Sequence, residues 1–129
     1  MSSLAGKVAL VTGAGRGIGR AIAIALAKSG CQVVLTARSV EQLVSVQDEI
    51  RAAQGKSVSI QADLTRDEDI ERLVQACGPV DFLINNAGWG KRAPVVRAKI
   101  EDWDQTFRLN LRAPMILTQN FLQIGRAHV

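Results

Sequence analysis

The stretch Thr12-Gly-Ala-Gly-Arg-Gly-Ile-Gly19 decides the fold that is predicted for this chain. It follows a short apolar run over 8–11 and opens a helical pattern, which predicts a strand, a glycine turn and a helix N-terminus. Glycines let the backbone approach a ligand closely, and the first N–H groups of a helix attract anions. The general Gly-x-Gly-x-x-Gly pattern does not fit, whereas Thr-Gly-x-x-x-Gly-x-Gly does. We therefore expect this turn to bind a phosphate group.

The composition is typical of a single globular domain. The chain has 129 residues, of which 47% are hydrophobic and 22% are charged. It contains no apolar run long enough to span a bilayer and no leader-like segment, so we expect no membrane partner. Cys31 and Cys77 lack the spacing of metal ligands and are predicted to be small core residues. Isolated cysteines of this kind favour a cytoplasmic location and no metal.

The basic character of the chain raises nucleic acid as a partner. The net charge is +4 and the sequence pI is about 9.6. The densest basic stretch contains acidic residues as well and lacks aromatic platforms or a helix-turn-helix signature; its cations are Lys91, Arg92, Arg97, Lys99, Arg108 and Arg112. We interpret it as a solvated face and expect no nucleic-acid partner.

Apolar strands alternate with capped helices along the chain, which predicts an α/β fold with a doubly wound parallel sheet of the Rossmann type. Strands are predicted over 7–12, 32–37, 57–62 and 80–85, and helices over 17–29, after 39, after 65 and after 97. Ser39 with Gln42 and Thr65 with Glu68 have the spacing of capping boxes.

Helical spacing predicts which side of each helix is buried. The predicted buried positions are, in chain order, Ile18, Ile22, Ala25, Leu26 and Ser29; Leu43, Val46, Ile50 and Ala53; Ile70, Leu73, Val74 and Cys77; and Trp103, Phe107, Leu111 and Phe121.

Ligands of such sheets bind beyond the carboxyl ends of the strands, so the residues at the strand ends are candidate site residues. The second strand ends at Arg38, where an acidic residue would otherwise hold a ribose 2′-hydroxyl. Arg38 together with Arg16 suits a 2′-phosphate, which favours NADP(H) over NAD(H). The third strand ends at Asp63-Leu64. Asp63 either accepts from an adenine amino group, beside Leu64, or caps the following turn.

The fourth predicted strand ends at Asn85-Asn86-Ala87-Gly88. Its small residues allow the chain to pass under a ribose, and its amides can brace neighbouring strands.

These strand ends together resemble the short-chain dehydrogenase/reductase family. Residues 12–19 match its cofactor turn, Asp63 its adenine contact and 85–88 its Asn-Asn-Ala-Gly segment. Asn110 matches the helix asparagine of its Asn-Ser-Tyr-Lys catalytic set, and the resemblance runs from about residue 5 to about residue 122. It implies a nicotinamide-dependent oxidoreductase that acts on a small alcohol or carbonyl compound and forms a homo-oligomer.

The resemblance and the strand ends give a set of predicted site residues. The cofactor-binding residues are Thr12, Gly13, Gly15, Arg16, Gly17, Ile18, Gly19, Arg38, Asp63, Leu64, Asn86, Ala87 and Gly88, and the catalytic residue is Asn110. Pro114 has no N–H to offer the carbonyl of Asn110. That carbonyl is then available to a water, which is the proton-relay role that the family gives this asparagine.

The chain contains no tyrosine, whereas the family mechanism needs a tyrosine, a lysine four residues later and a serine. We therefore expect residues 1–123 to be the N-terminal part of an NAD(P)-binding Rossmann domain, truncated after the fourth βα unit and inactive alone. A non-catalytic NADP(H)-binding regulatory or sensor module is the alternative. Residues 124–129 reverse-translate to ATC GGA AGA GCA CAC GTC, which matches a sequencing-library adapter, so we expect them to be a non-native tail.

Overall fold

The computed structural model describes residues 4–90 and 93–124 of the chain. Strands alternate with helices over most of this length. The strands are β1 (Val8–Thr12), β2 (Gln32–Ala37), β3 (Lys56–Gln61) and β4 (Phe82–Ile84), and the helices are α1 (Gly17–Lys28), α2 (Val40–Ala52), α3 (Asp67–Cys77), α4 (Ile100–Phe107) and α5 (Ala113–Ile124). A 3-10 turn over Val95–Arg97 precedes α4, and a π-helical segment over Arg108–Arg112 joins α4 to α5.

The strands form one parallel sheet in the order β3-β2-β1-β4. Val11 lies opposite Leu35 of β2 and Ile84 of β4, so β1 is central and β4 is at one end of the sheet. The predicted α/β fold with a Rossmann-type sheet is confirmed. β3 is shifted one residue toward the N-terminus relative to the prediction, and β4 is shorter than predicted.

Both faces of the sheet are covered, which explains why the strands read as nearly continuous apolar runs. Leu10 and Val34 pack on one face with residues of α3 and α5, whereas Val11, Val33 and Leu35 pack on the other with residues of α1 and α2. The two faces meet different helices, and the carboxyl ends of the strands share one edge above them.

The predicted buried side of α1 is wrong. The buried residues are Gly19, Ala23 and Ala27, whereas Ile18 is 73% exposed. Small side chains at this spacing let the helix axis lie close to the sheet, and larger side chains on the same face would hold it away. The larger Ile22 and Leu26 are only partly buried at the margins of this contact.

The predicted start of α2 is confirmed, and that of α3 is wrong. The Ser39 hydroxyl accepts a hydrogen bond from the Gln42 backbone N–H at 3.2 Å and caps α2. Helix α3 begins two residues after Thr65, because the Thr65 hydroxyl instead donates to Asp63. Leu43, Val46 and Ile50 of α2 and Ile70 and Leu73 of α3 are buried as predicted, with Val74 and Cys77 partly buried, but Ala53 is exposed after the end of α2.

Three of the four predicted core positions in the last helical region are exposed. Trp103 is 61%, Phe107 46% and Leu111 58% exposed, whereas Phe121 is fully buried with Ala113 and Leu117. The rings of Trp103 and Phe107 stack on each other with centroids 5.5 Å apart. The sequence pattern therefore identifies an apolar stripe, but no described residue of this chain covers it.

The cysteines occupy core positions as predicted. Cys31 is buried and Cys77 is half-buried against the α3 side of the sheet, and both are free thiols. Burial raises the pKa of the Cys77 thiol to about 11, so it stays protonated at neutral pH.

Some predictions concern residues outside the described part of the chain. Lys91 and Arg92 of the basic stretch are among them, as are residues 125–129 of the predicted tail, whereas Ile124 is the last residue of α5. None of the described helices combines the length and the apolar character that crossing a membrane requires.

Candidate functional site

A cleft of about 440 Å³ lies at the edge of the sheet where the strands end. It is lined by residues from the turn after β1, from the ends of β2 and β3, from the segment after β4 and from the π-helical segment. These are Gly13, Gly15, Arg16, Gly17, Thr36, Ala37, Arg38, Ser39, Gln42, Ala62, Leu64, Asn86, Ala87, Gly88 and Leu109. This is the edge at which the parallel topology places ligands.

The glycine turn passes directly over the segment that follows β4. A Cβ atom on Gly13, where φ is +63°, would lie 2.9 Å from the Cα of Ala87 and 2.9 Å from the side-chain nitrogen of Asn86. Both the backbone conformation and the close approach therefore require glycine at this position. The turn is also tied to β2, because the Ala14 N–H donates to the Thr36 carbonyl at 3.1 Å.

Thr12 joins the end of β1 to the segment after β4. Its hydroxyl accepts hydrogen bonds from the backbone N–H groups of Asn86 at 3.0 Å and Ala87 at 2.9 Å, and it donates to the Ile84 carbonyl at 3.3 Å. The Asn86 amide also donates to the Gly13 carbonyl at 3.3 Å. Because its hydroxyl is fully engaged by these backbone groups, Thr12 positions the floor of the cleft, and a contact of its side chain with a cofactor stays a prediction.

The cleft carries positive charge at one end. Arg16 and Arg38 both line it, no carboxylate is among its lining residues, and neither arginine forms an ion pair with a described residue. The N-terminus of α2 follows Ser39 at the same end, and a helix N-terminus adds to the attraction of an anion. Two guanidinium groups beside a helix N-terminus suit a phosphate group.

Asp63 forms the turn after β3. Its carboxylate accepts from the Thr65 N–H at 3.0 Å and from the Thr65 hydroxyl at 2.7 Å. Burial raises the pKa of Asp63, but the hydrogen bonds from Thr65 and the charges of Arg38 and Arg66 outweigh it, so the pKa lies below its usual range. Of the two interpretations left open, the geometry favours the turn-forming one. Asp63 is not among the lining residues of the cleft, and its contact with adenine stays a prediction.

Most of the predicted cofactor residues line the cleft, and a few do not. Gly13, Gly15, Arg16, Gly17, Arg38, Leu64, Asn86, Ala87 and Gly88 line it. Ile18 lies on the exposed side of the first turn of α1, and Gly19 is buried beneath the glycine turn. At Gly19 a Cβ would overlap the Gly13 carbonyl oxygen and the Asn86 side-chain nitrogen. Gly19 thus permits the packing of the site without facing the cleft.

Asn110 lies on the π-helical segment and holds the chain that leaves the cleft. Its side-chain oxygen accepts from the Trp89 N–H at 2.9 Å, and its amide nitrogen donates to the Trp89 carbonyl at 2.6 Å. Its oxygen would lie 3.0 Å from a Cβ placed on Gly88. π-helical segments inside α-helices are frequent at functional sites. The side chain of Asn110 is therefore a positioning group, and the water bound to its carbonyl stays a prediction.

The sequence reasoning missed six lining residues: Thr36, Ala37, Ser39, Gln42, Ala62 and Leu109. The sequence identifies Ser39 and Gln42 only as helix-capping residues, although the start of the helix after β2 lies at the ligand-binding edge of the sheet. Thr36 had a signal of its own, since it lies opposite Thr12 in the register of the sheet. No sequence pattern predicts the position of Leu109, because tertiary packing determines how the segment after the loop returns to the cleft.

Comparison with known proteins assigns the chain to a family. A sequence model described as short chain dehydrogenase matches residues 7–126. The chain belongs to the short-chain dehydrogenase/reductase family. The resemblance based on the glycine turn and the Asn-Asn-Ala-Gly segment is thereby confirmed.

Individual relatives agree with this assignment. The chain is 43% identical over 123 residues to the hydroxynaphthalene reductase-like protein Arp2 of Metarhizium majus, which covers 92% of this chain and 46% of that protein. It is 37% identical over 124 residues to a 3-oxoacyl-[acyl-carrier-protein] reductase of Synechocystis sp., covering 92% of this chain and 50% of that protein. A metagenomic short-chain oxidoreductase solved in complex with NADP is 44% identical, with a TM-score of 0.88 over 95% of this chain and 58% of that one. The chain thus spans about half the length of the relatives it matches.

Proposed function

We propose that this chain provides the cofactor-binding half of an NADP(H)-dependent oxidoreductase, which transfers hydride between the nicotinamide and a small carbonyl or alcohol compound. The observation that carries the cofactor preference is the pair of arginines, Arg16 and Arg38, in a cleft whose lining contains no carboxylate. A carboxylate at the end of β2 would repel a 2′-phosphate, whereas a guanidinium forms charge-assisted hydrogen bonds with it. The NADP complex of the metagenomic relative supports the same cofactor.

The residues of the cleft fit the shape and charge of a dinucleotide. Gly13 and Gly15 leave room for a pyrophosphate against the backbone, and the N-terminus of α1 follows at Gly17. Leu64 and Ala87 provide apolar contact for the adenine, and Asn86 and Gly88 border the chain that would pass under a ribose. When bound, the nicotinamide supplies or accepts the hydride.

In this assignment, Asn110 acts on the reaction through the positions that it holds. Its side chain fixes the backbone of Trp89, directly after the cleft residue Gly88. Pro114, four residues further on, has no N–H for the Asn110 carbonyl. We assign to that carbonyl a bound water in the proton relay of the whole enzyme. The proposal also includes a small carbonyl or alcohol substrate, a homo-oligomeric state and a cytoplasmic location. The exposed stripe of Trp103, Phe107 and Leu111 supports an oligomeric state.

A titration of the 129-residue chain with NADPH and NADH, followed by nicotinamide fluorescence, tests the cofactor preference. Charge-assisted hydrogen bonds contribute about 1.5–3 kcal/mol each, so we expect NADPH to bind at least about tenfold more tightly. Arg38→Asp should abolish this difference. The matched control is Arg51→Asp, which makes the same charge change on α2 at a residue that pairs with Asp48 and is not among the lining residues. Tighter binding of NADH by the unaltered chain would refute the preference.

The absence of tyrosine favours a second candidate, a cofactor-binding sensor without catalysis. We expect the 129-residue chain to bind the cofactor without oxidoreductase activity in both cases, so the natural reading frame after Leu122 must separate them. A frame that continues with a serine and a Tyr-x-x-x-Lys sequence supports the enzyme. A complete frame without them supports the sensor.

A further inference from the structure

Thr36 is a buried polar residue whose hydroxyl has no hydrogen-bond partner within the described fold. It is 0% exposed. Buried hydroxyl groups are nearly always paired, because an unpaired one forfeits its hydration without compensation. Thr12, its neighbour across the sheet, shows the contrast, since its hydroxyl hydrogen-bonds to the last residue of β4 and to the segment after it. An unpaired hydroxyl at this position therefore points to a partner from outside the chain.

The surroundings of Thr36 indicate what that partner is. Thr36 lines the cleft and shares its face of the sheet with Val34, whose cluster includes Ala62 and Leu64. Ala62 and Leu64 also line the cleft, and both are almost fully buried. This part of the cleft is thus an apolar slot with Thr36 among its lining residues, whereas the arginines lie at the charged end. A flat heterocycle with ring nitrogens and an amino group suits an apolar slot with a single hydrogen-bonding group.

We infer that the Thr36 hydroxyl forms a hydrogen bond with the adenine end of the bound nucleotide, so that Thr36 is a further cofactor-binding residue. This inference rests on the proposed function, because the nucleotide is the cofactor assigned there. It adds a contact that neither the glycine turn nor the arginines provide. The part of the cofactor that Thr36 contacts is common to NADPH and NADH, so Thr36 affects affinity and not the preference between them.

Two substitutions at Thr36 separate the hydroxyl from the shape of the side chain. Thr36→Val keeps the shape and removes the hydroxyl, and Thr36→Ser keeps the hydroxyl. A neutral hydrogen bond corresponds to about a fivefold change in affinity, so Thr36→Val should weaken NADPH, NADH and adenosine 5′-monophosphate by about fivefold each. Thr36→Ser should bind them as the unaltered chain does. The melting temperature of the ligand-free Thr36→Val variant should stay the same or rise, because an unpaired buried hydroxyl has been removed.

Each result has a defined meaning. Unchanged affinity of Thr36→Val for all three nucleotides overturns the inference, and so does a loss for NADPH that adenosine 5′-monophosphate does not share. A lower melting temperature of the ligand-free Thr36→Val variant overturns it as well, because the fold would then be the user of the hydroxyl. An unaltered chain that binds none of the three overturns the proposed function together with this inference, which distinguishes the two failures.

Discussion

Gly19→Ala is the substitution that tests the packing of the site most directly. Gly19 lies in the first turn of α1 with an ordinary helical conformation, so an alanine there gains about 1 kcal/mol of helix propensity. The added Cβ, however, would overlap the Gly13 carbonyl oxygen and the Asn86 amide, and it would lie 2.9 Å from the Gly13 carbonyl carbon. Overpacking against groups that cannot move away costs about 1–3 kcal/mol and at times more.

The overlap at Gly19 involves backbone, and the backbone of Gly13 is itself fixed against Ala87. The upper part of that range therefore applies. We expect Gly19→Ala to lower the free energy of unfolding by about 2 kcal/mol in spite of its helix propensity, and to weaken NADPH binding because the glycine turn must shift. Urea unfolding followed by circular dichroism measures the first effect, and nicotinamide fluorescence measures the second.

Two other glycines provide matched controls for this reasoning. A Cβ on Gly15 would lie 2.6 Å from Oε1 of Gln42, which can rotate away, and 3.0 Å from the Cβ of Gln42, which must give by a few tenths of an ångström. A Cβ on Gly90 would meet no atom of the described residues within 4 Å. Gly15→Ala should therefore change the free energy of unfolding by less than about 1 kcal/mol, and Gly90→Ala should be neutral. Equal urea midpoints for all three variants would show that the overlap at Gly19 does not govern stability.

Three further predictions concern side chains that hold the site together. Thr12→Val leaves two backbone N–H groups without their acceptor and should lower the free energy of unfolding by about 2 kcal/mol in urea, with an unchanged midpoint as the contrary result. The pKa of Asp63 is lowered in the folded state, so its carboxylate stabilises the fold above the unfolded pKa of about 4, and this contribution is lost as the pH falls through the folded pKa. Asp63→Asn keeps an acceptor for Thr65, and it should make the acid limb of the stability curve shallower; an unaltered limb contradicts the assignment. Asn110→Ala releases the backbone of Trp89, so proteolysis should cut the segment after β4 faster, and an unchanged rate would mean that other contacts hold it.

The sequence predicts the order of strands and helices well, because both faces of a parallel sheet are buried and each strand is an apolar run. It predicts the buried side of α1 poorly. The large apolar side chains of that helix include Ile18, Ile22 and Leu26, but the residues buried against the sheet are Gly19, Ala23 and Ala27. Helical periodicity shows which side of a helix is apolar, but it does not predict how close the helix lies to the sheet.

The same limit explains the last helical region. Trp103, Phe107 and Leu111 recur at helical spacing, which correctly identifies one apolar side. A stripe of this kind requires a surface to pack against, but the pattern does not say whether that surface belongs to the described residues. In the structure the covered positions are Ala113, Leu117 and Phe121, and Trp103, Phe107 and Leu111 face outward. In this region periodicity gives the apolar side of the helix, and tertiary topology decides whether that side is buried.

The predicted site residues are of two kinds, which the sequence motif does not distinguish: residues that face the cleft and residues that support it from behind. Arg38 faces the cleft, whereas Thr12 and Gly19 hold the cleft in shape from behind, and all three belong to the same predicted set. A substitution of the second kind changes stability and binding together, and one of the first kind changes binding alone. A loss of affinity in this chain is therefore attributable to a cofactor contact only where the free energy of unfolding is unchanged. Thr36→Val suits this comparison because the hydroxyl that it removes hydrogen-bonds to no described residue. Arg38→Asp also removes a charge that lowers the pKa of Asp63, so its free energy of unfolding must be measured beside its affinity.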